Sequence, residues 1–312
     1  MHREYVKVRL TDRQRVADNV IEFRFDSPDG SPLPAPSPGD HVEILTPSGM
    51  PRCYSATEGP EGSRGGWTVA VALDPAGGGG SASMHAHAQV GDIMDVRPPV
   101  GTFPLTTANN ALLIAGGIGI TPIRSMYNAI RRAGVQYDLV YLAASRPHAA
   151  YASEFVDDPH ATLHLKNERG GRYDLWEVLR EPGERDLFCC GPTALMDQVR
   201  ALTMHWRPSR LHFENFTGVA PIGDFSGPFT ARWAPTGDTF QVPEDATLLN
   251  AMLAAGIEWP SSCNAGTCGT CKLTLIHGDA DHRDAILTEE EQGNWFTPCV
   301  SRGDGLLELG PL

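Results

Sequence analysis

The chain reads as a multidomain protein: an antiparallel β-barrel, then an α/β domain on a parallel sheet, then a small α+β unit built around cysteines. Three observations predict this order. The first hundred residues are short runs of alternating or β-branched residues, separated by clusters such as "SPDGSPLPAPSPGD" and "GPEGSRGG". Antiparallel barrels and sandwiches are punctuated in this way. Past residue 108, strand-like and helix-like runs alternate, the pattern of a parallel sheet covered on both faces. Near the end, "SSCNAGTCGTCK" holds three cysteines within nine positions. A length of 312 residues is too great for one ordinary core and suits two or three domains.

Each element follows from its own pattern. Barrel strands are expected in "YVKVRLTDRQRV", "NVIEFRFDS", "DHVEILTP", "RCYSATEG", "WTVAVALD" and "DIMDVRPPV". "ALLIAGG" is a short buried-strand run, and "TPIRSMYNAIRRAG" has helical apolar spacing, with Pro122 in the first turn and Gly134 past the end. Strands "YDLVYLAAS", "ATLHLKN" and "DLFCCGP" are interleaved with helices around "YDLWEVLRE" and "TALMDQVRALTMHW". "TGVAPIGDFSGP" has no periodicity and reads as a linker. After it come strands "FTARWAP" and "DTFQVPE" and a helix in "DATLLNAMLAAG", with Asp245 as N-cap and Gly256 as terminator. The expected domains are 1–108, 109–216 and 229–312, joined by the linker 217–228.

Bulk properties exclude several classes. A net charge of −13 would be repelled by nucleic acid. From Phe229 onward there are twelve acidic against four basic residues, a local net of −8. That face either steers a basic partner or keeps the surface solvated. The charged start "MHREYVKVRLTDRQRV" is no signal peptide, and "ALLIAGGIGI" is too short to cross a bilayer. Seven cysteines, an odd number without an export signal, point to a reducing compartment, so the cytoplasm is the expected location.

The cysteines carry the strongest chemical signal. Cys263, Cys268 and Cys271 have the spacing C-x4-C-x2-C, and Cys299 follows after 27 residues. Thiolates select iron–sulfur clusters or zinc. Zinc sites usually pair cysteines in two separate knuckles, whereas three ligands on one loop and a fourth from afar is the plant-type [2Fe–2S] spacing. The small residues between them let backbone N–H groups approach the cluster sulfurs. Residues 229–312 resemble a plant-type ferredoxin, which implies a β-grasp-like fold for this unit and single-electron chemistry.

Four further motifs suggest what feeds the cluster. "RCYSAT" resembles the R-x-Y-S strand of flavin reductases. That resemblance implies that Arg52 meets a flavin phosphate, Tyr54 packs by the isoalloxazine and Ser55 reaches the flavin N5 region, with Cys53 a bystander. "GGGGSAS" would by composition be a flexible hairpin tip. It resembles the loop that wraps the flavin phosphate, which singles out Gly80 and Ser81. His85 and His87 lie two apart without a third ligand and read as ordinary side chains. "LLIAGGIGITPI" exposes N–H groups at a helix start, suited to a pyrophosphate. It resembles the nicotinamide-domain loop of ferredoxin reductase-like proteins, so Gly117, Gly119 and Thr121 are assigned to cofactor contact. "CCGPTALM" matches the family's C-G-P motif at Cys190, Gly191 and Pro192, facing the nicotinamide; Cys189 reads as core. In "HFENF", Phe216 resembles the aromatic that covers the flavin, although periodicity alone would place it in a core.

Together these motifs resemble the phthalate dioxygenase reductase family, whose relatives include vanillate O-demethylase reductases. "GDADHRDAILTEEE" fits the same subgroup. The resemblance implies FMN as the flavin, NADH as hydride donor and a Rieske-type oxygenase, ring-hydroxylating or O-demethylating, as electron acceptor. Ser55 and Cys190 would then sit closest to the reacting atoms, and no dedicated general acid or base is needed. "AASRPH" puts Ser145 and Arg146 where the adenosine ribose would lie. Pro147 stands where NADH-preferring relatives often carry an acid, and a Ser–Arg pair could hold a 2′-phosphate. The overall resemblance favours NADH without excluding NADPH. A chain with all three domains is expected to be a monomer. The other readings kept open are a redox-sensing iron–sulfur flavoprotein and a broad-acceptor NAD(P)H reductase serving another carrier.

Overall fold

Six antiparallel strands make the first sheet of the computed structural model: β1 (Val6–Ala17), β2 (Val20–Asp26), β3 (Asp40–Leu45), β4 (Pro51–Ser55), β5 (Trp67–Ala72) and β6 (Ile93–Gly101). Residues 4–58, 65–75, 79–101, 103–106, 110–216, 227–244, 246–261, 266, 269–284 and 286–312 are described. The strand order is β4-β3-β6-β1-β2-β5. A bridge between Ala56 and Val69 ties the two edge strands and closes the barrel, which leaves no open edge. Alternation along the strands turns Val8, Leu10, Phe23, Phe25, Trp67 and Val69 inward, all fully buried. Each such side chain contributes about 1.5–3 kcal/mol of burial.

Residues Gly80–His87 form a helix, α1, where the sequence suggested a flexible tip or a wrapping loop. Gly79 takes the N-cap position at φ 79°, a left-handed conformation that glycine tolerates. Met84 then anchors the helix in the barrel core. His85 bonds the carbonyl of Val71 at 2.8 Å, which accounts for it without a metal.

The second sheet is wholly parallel, in the order β11-β10-β7-β8-β9. Its strands are β7 (Asn110–Gly116), β8 (Gln136–Ala143), β9 (Ala161–Leu165), β10 (Asp186–Cys190) and β11 (Leu211–Glu214). The helices are α2 (Ile120–Ala133), α3 (Lys166–Arg169), α4 (Trp176–Leu179) and α5 (Thr193–Leu202). Strand β7 sends Ala111, Leu113 and Ala115 to the core beneath α2, and Leu112 and Ile114 to the core beneath α4 and α5. As expected, Pro122 lies in the first turn of α2 and Gly134 closes it at φ 67°. The chain runs one way from β7 to β9 and then returns to the other side of β7. This reversal opens a crevice at the strands' carboxyl ends. Val20, Ala70 and Phe103 of the barrel segment join the α2-side core, and Met1–Glu214 is one compact unit.

The other unit is Asn215–Leu312. Its sheet runs β13 (Thr239–Val242), β12 (Phe229–Trp233), β16 (Arg302–Gly310), β14 (Leu273–Asp281), β15 (Trp295–Phe296). Only the β12–β16 pair is parallel. Two helices complete the unit, α6 (Leu248–Ala254) and α7 (Glu289–Gln292). Leu248 and Met252 of α6 pack on Phe229, Leu273, Phe296 and Leu307, the arrangement expected of a β-grasp. The N-cap of α6 is Thr247, whose hydroxyl accepts from the Asn250 amide at 3.2 Å. The expected cap, Asp245, lies outside the described residues. Gly256 ends the helix at φ 78°. Among the described residues no helix is long and apolar enough to cross a membrane.

Candidate functional site

Strand β4 places Arg52, Tyr54 and Ser55 at the closing edge of the barrel. The Arg52 stem lies directly over the first turn of α1: a Cβ on Gly80 would come within 2.8 Å of Arg52 Cγ. A guanidinium thus stands beside a helix N-terminus whose first N–H groups have no partner within the helix, a favourable corner for a phosphate. The Ser81 hydroxyl accepts from the Asp74 amide at 3.1 Å, and its O–H can still donate to a phosphate. Tyr54 is half-buried, and burial pushes its phenol up to about 12. Ser55 is 4% exposed, and its buried hydroxyl has no hydrogen-bond partner among the described residues. A buried hydroxyl left unsatisfied is costly, and a flavin ring atom would complete it. These residues fit a flavin.

A second candidate site lies at two loops at the ends of neighbouring strands β7 and β10. Gly116, Gly117 and Gly119 lead into α2, and Cys190, Gly191 and Pro192 lead into α5. The loops meet backbone to backbone. A Cβ on Gly119 would lie 2.2 Å from the Cys190 carbonyl oxygen, and one on Gly191 would lie 3.0 Å from Gly116 Cα. Thr121 is buried and donates to the Ile118 carbonyl at 2.9 Å, which pins the turn. Burial holds the Cys190 thiol well above its usual range, and nearby Glu214 pushes it the same way. It is a neutral thiol at physiological pH. Glu214, in register with Cys190 across β10 and β11, had no signal in the sequence beyond its place in "HFENF".

A cavity of about 470 Å³ opens beside these loops, lined by Gly116, Gly117 and Pro192. Ala144 and His148, on either side of Ser145 and Arg146, also line it. Ser145 bonds His148 Nδ1 at 2.9 Å, and Arg146 is exposed. Lys166 and Arg172 reach the same cavity. They were not legible in the sequence because nothing local marks a basic side chain as cavity-lining.

In the second unit, Cys271 and Cys299 are buried, with sulfurs 3.3 Å apart and no disulfide between them. That gap suits neighbouring corners of a tetrahedral sulfur-ligated metal. Cys263 and Cys268 lie outside the described residues. Gly266 at φ 69° and Gly269 at φ 72° shape the loop, and a Cβ on Gly266 would strike Val300 at 2.7 Å. Asp284 lies against Gly266, where an added Cβ would come within 3.1 Å of the Asp284 Cα. Its carboxylate accepts from the Ile286 and Leu287 amides and from the Thr297 hydroxyl, and Thr297 pairs with Ser301 at 2.7 Å. The Trp259 indole donates to the Cys271 carbonyl at 3.0 Å. Phe216 is 42% exposed, so the core placement that periodicity favours does not hold.

Residues 231–302 match the 2Fe-2S iron-sulfur cluster binding domain. The chain is 34% identical over 305 residues to phthalate dioxygenase reductase of Burkholderia cepacia, covering 96% of this chain and 94% of that one. It is 35% identical over 309 residues to vanillate O-demethylase oxidoreductase of Pseudomonas sp. (strain HR199 / DSM 7063), covering 95% and 96%. A solved phthalate dioxygenase reductase, described as a modular structure for electron transfer from pyridine nucleotides to [2Fe–2S], aligns with TM-score 0.84 and 33% identity over 98% of both chains. A barrel, a parallel sheet with a glycine-lined cavity and an iron–sulfur domain in one chain define an oxidoreductase that carries electrons. The chain belongs to the phthalate dioxygenase reductase family.

Proposed function

We propose that the protein oxidises NADH, uses FMN and a [2Fe–2S] cluster in turn, and delivers electrons singly to a Rieske-type oxygenase component in the cytoplasm, acting as a monomer. The observation that carries the reading is the buried sulfur pair of Cys271 and Cys299, 3.3 Å apart without a disulfide, in a chain that also holds a nucleotide-sized cavity. When bound, the flavin supplies the exchange between hydride and single electrons, and the cluster supplies one-electron carriage.

The chain's own residues bind and orient. Arg52 and the first turn of α1 at Gly80 and Ser81 hold the flavin phosphate. Tyr54 packs beside the ring and Ser55 donates toward N5. Gly117, Gly119 and Thr121 present N–H groups to the pyrophosphate. Gly191 and Pro192 shape the nicotinamide pocket with the neutral Cys190 thiol, which puts no charge beside the ring. Ser145 and Arg146 meet the adenosine ribose. Cys263, Cys268, Cys271 and Cys299 ligate the irons. No side chain is asked to move a proton.

Anaerobic mixing with NADH tests this, with the flavin followed by its absorbance and cytochrome c as one-electron acceptor. Truncation after residue 228 is expected to leave flavin reduction intact and to abolish cytochrome c reduction. Equal cytochrome c reduction by the truncated protein would refute the order of electron flow.

A further inference from the structure

Arg124 lies on α2 one turn beyond Thr121, and the sequence motifs do not single it out. Its side chain is only 12% exposed. Nε and Nη2 donate to the two carboxylate oxygens of Glu154 at 2.8 and 2.9 Å, a bidentate pair. Nη1 donates to the Thr57 carbonyl at 3.1 Å and comes within 3.9 Å of Glu58. The guanidinium carbon stands 4.4 Å from the centre of the Tyr151 ring. The Tyr151 hydroxyl in turn donates to Glu22 of β2 at 2.5 Å.

The placement of these contacts matters more than their number. Thr57 is two residues past Ser55, the hydroxyl assigned to the flavin. Arg124 is three residues past Thr121 and five past Gly119, in the loop assigned to the nucleotide. One guanidinium therefore ties α2, which follows the loop assigned to the nucleotide, to the turn after β4, the strand assigned to the flavin. Its support is also unusual: Tyr151, at φ 58°, is the one non-glycine residue with positive φ among the described residues. Strained backbone of this kind persists where the surroundings over-determine it, and it gathers at functional sites. Glu22 on β2, Thr57 after β4, Arg124 on α2 and Tyr151 and Glu154 after β8 come from four separate stretches of chain and meet at one point.

We propose that Arg124 is a positioning residue for hydride transfer: by fastening the first turns of α2 to the end of the flavin strand β4, it sets the gap between the nicotinamide and flavin rings. The inference rests on the functional reading above. Arginine is required because it makes the fork to Glu154, the bond to Thr57 and the stack on Tyr151 together. Lysine, a single flexible point charge, cannot make all three.

The experiment compares the flavin-loaded wild type with Arg124→Lys, Arg124→Met and, should those fail to fold, Glu154→Gln, which removes one side of the fork. Anaerobic stopped-flow should show the rate constant of flavin reduction falling about 10- to 100-fold, the scale of a 1 Å misplacement. KM for NADH should change by no more than about threefold, since the pyrophosphate contacts remain. The long-wavelength absorbance of the NADH–flavin complex should weaken in proportion to the rate. In protein without nucleotide or flavin, amide hydrogen exchange in residues 55–58 should speed up about tenfold as the clamp opens. A variant with wild-type rate, absorbance and exchange overturns the proposal, as does a rise in KM at unchanged rate. A wild type whose flavin NADH does not reduce would instead refute the underlying functional reading.

Discussion

In Met1–Glu214 the site's two glycine loops come close main chain to main chain, Gly119 against the Cys190 carbonyl and Gly191 against Gly116, with the Leu195 side chain packed on the same glycines. In Asn215–Leu312 side-chain hydrogen bonds shape the surroundings of Cys271 and Cys299: Asp284 accepts from two amides of its own turn and from the hydroxyl of Thr297, two residues before Cys299. The difference follows from what each site must do. Hydride transfer depends on the spacing of two bound rings, and close-packed backbone yields little. A metal forms its own bonds to thiolates and needs the ligand loop held in an approachable shape, which outer hydrogen bonds provide.

Substitutions can break this contrast in a graded way. The largest effect is expected from Cys299→Ser, which should lose iron and inorganic sulfide and reduce cytochrome c reduction to background. Flavin reduction by NADH should stay at the wild-type rate, and iron analysis with stopped-flow absorbance would check both. Asp284→Ala keeps all four sulfurs but removes the accepting carboxylate. Cluster loss to a chelator, followed by visible absorbance, should accelerate about 10- to 100-fold. The finest test compares two glycines of the first unit. Gly119→Ala must push apart two main chains and should cost about 1–3 kcal/mol of stability, with a raised KM for NADH. Gly134→Ala meets nothing within 4 Å but sits at φ 67°, so it should cost about 1 kcal/mol and leave KM alone. Chemical denaturation and NADH titration would read both. If the two alanines behave alike, the backbone seam is not what shapes the nucleotide site.

Features with local causes were legible in the sequence. Pro122 and Gly134 bracket α2 because a ring-locked φ and a left-handed cap act on their own residues. The cysteine spacing announced its chemistry because three thiols fall within nine positions of the sequence. The alternating barrel strands showed for the same reason. Other features hid. Helix α1 opens on glycine and carries almost no apolar stripe, so its sequence reads as a loop until Met84 finds the barrel core. Strands β14 and β16 are interrupted by Gly278, Gly303 and Gly305, which blurs their alternation. The N-cap of α6 fell to Thr247, two positions along from an equally good capping type. Arg124, Lys166, Arg172 and Glu214 have no local signature at all. Each acquires its meaning from partners brought near only by folding.

The glycine seam between β7 and β10 also limits how this scaffold can be altered. With no free volume where the two loops touch, a change of nucleotide preference cannot be engineered from that side without prying the sheet open. The more permissive positions are the side chains of His148, Lys166 and Arg172, which line the same cavity and can exchange charge there. Divergence in coenzyme choice among relatives should therefore accumulate at those positions while the seam stays still.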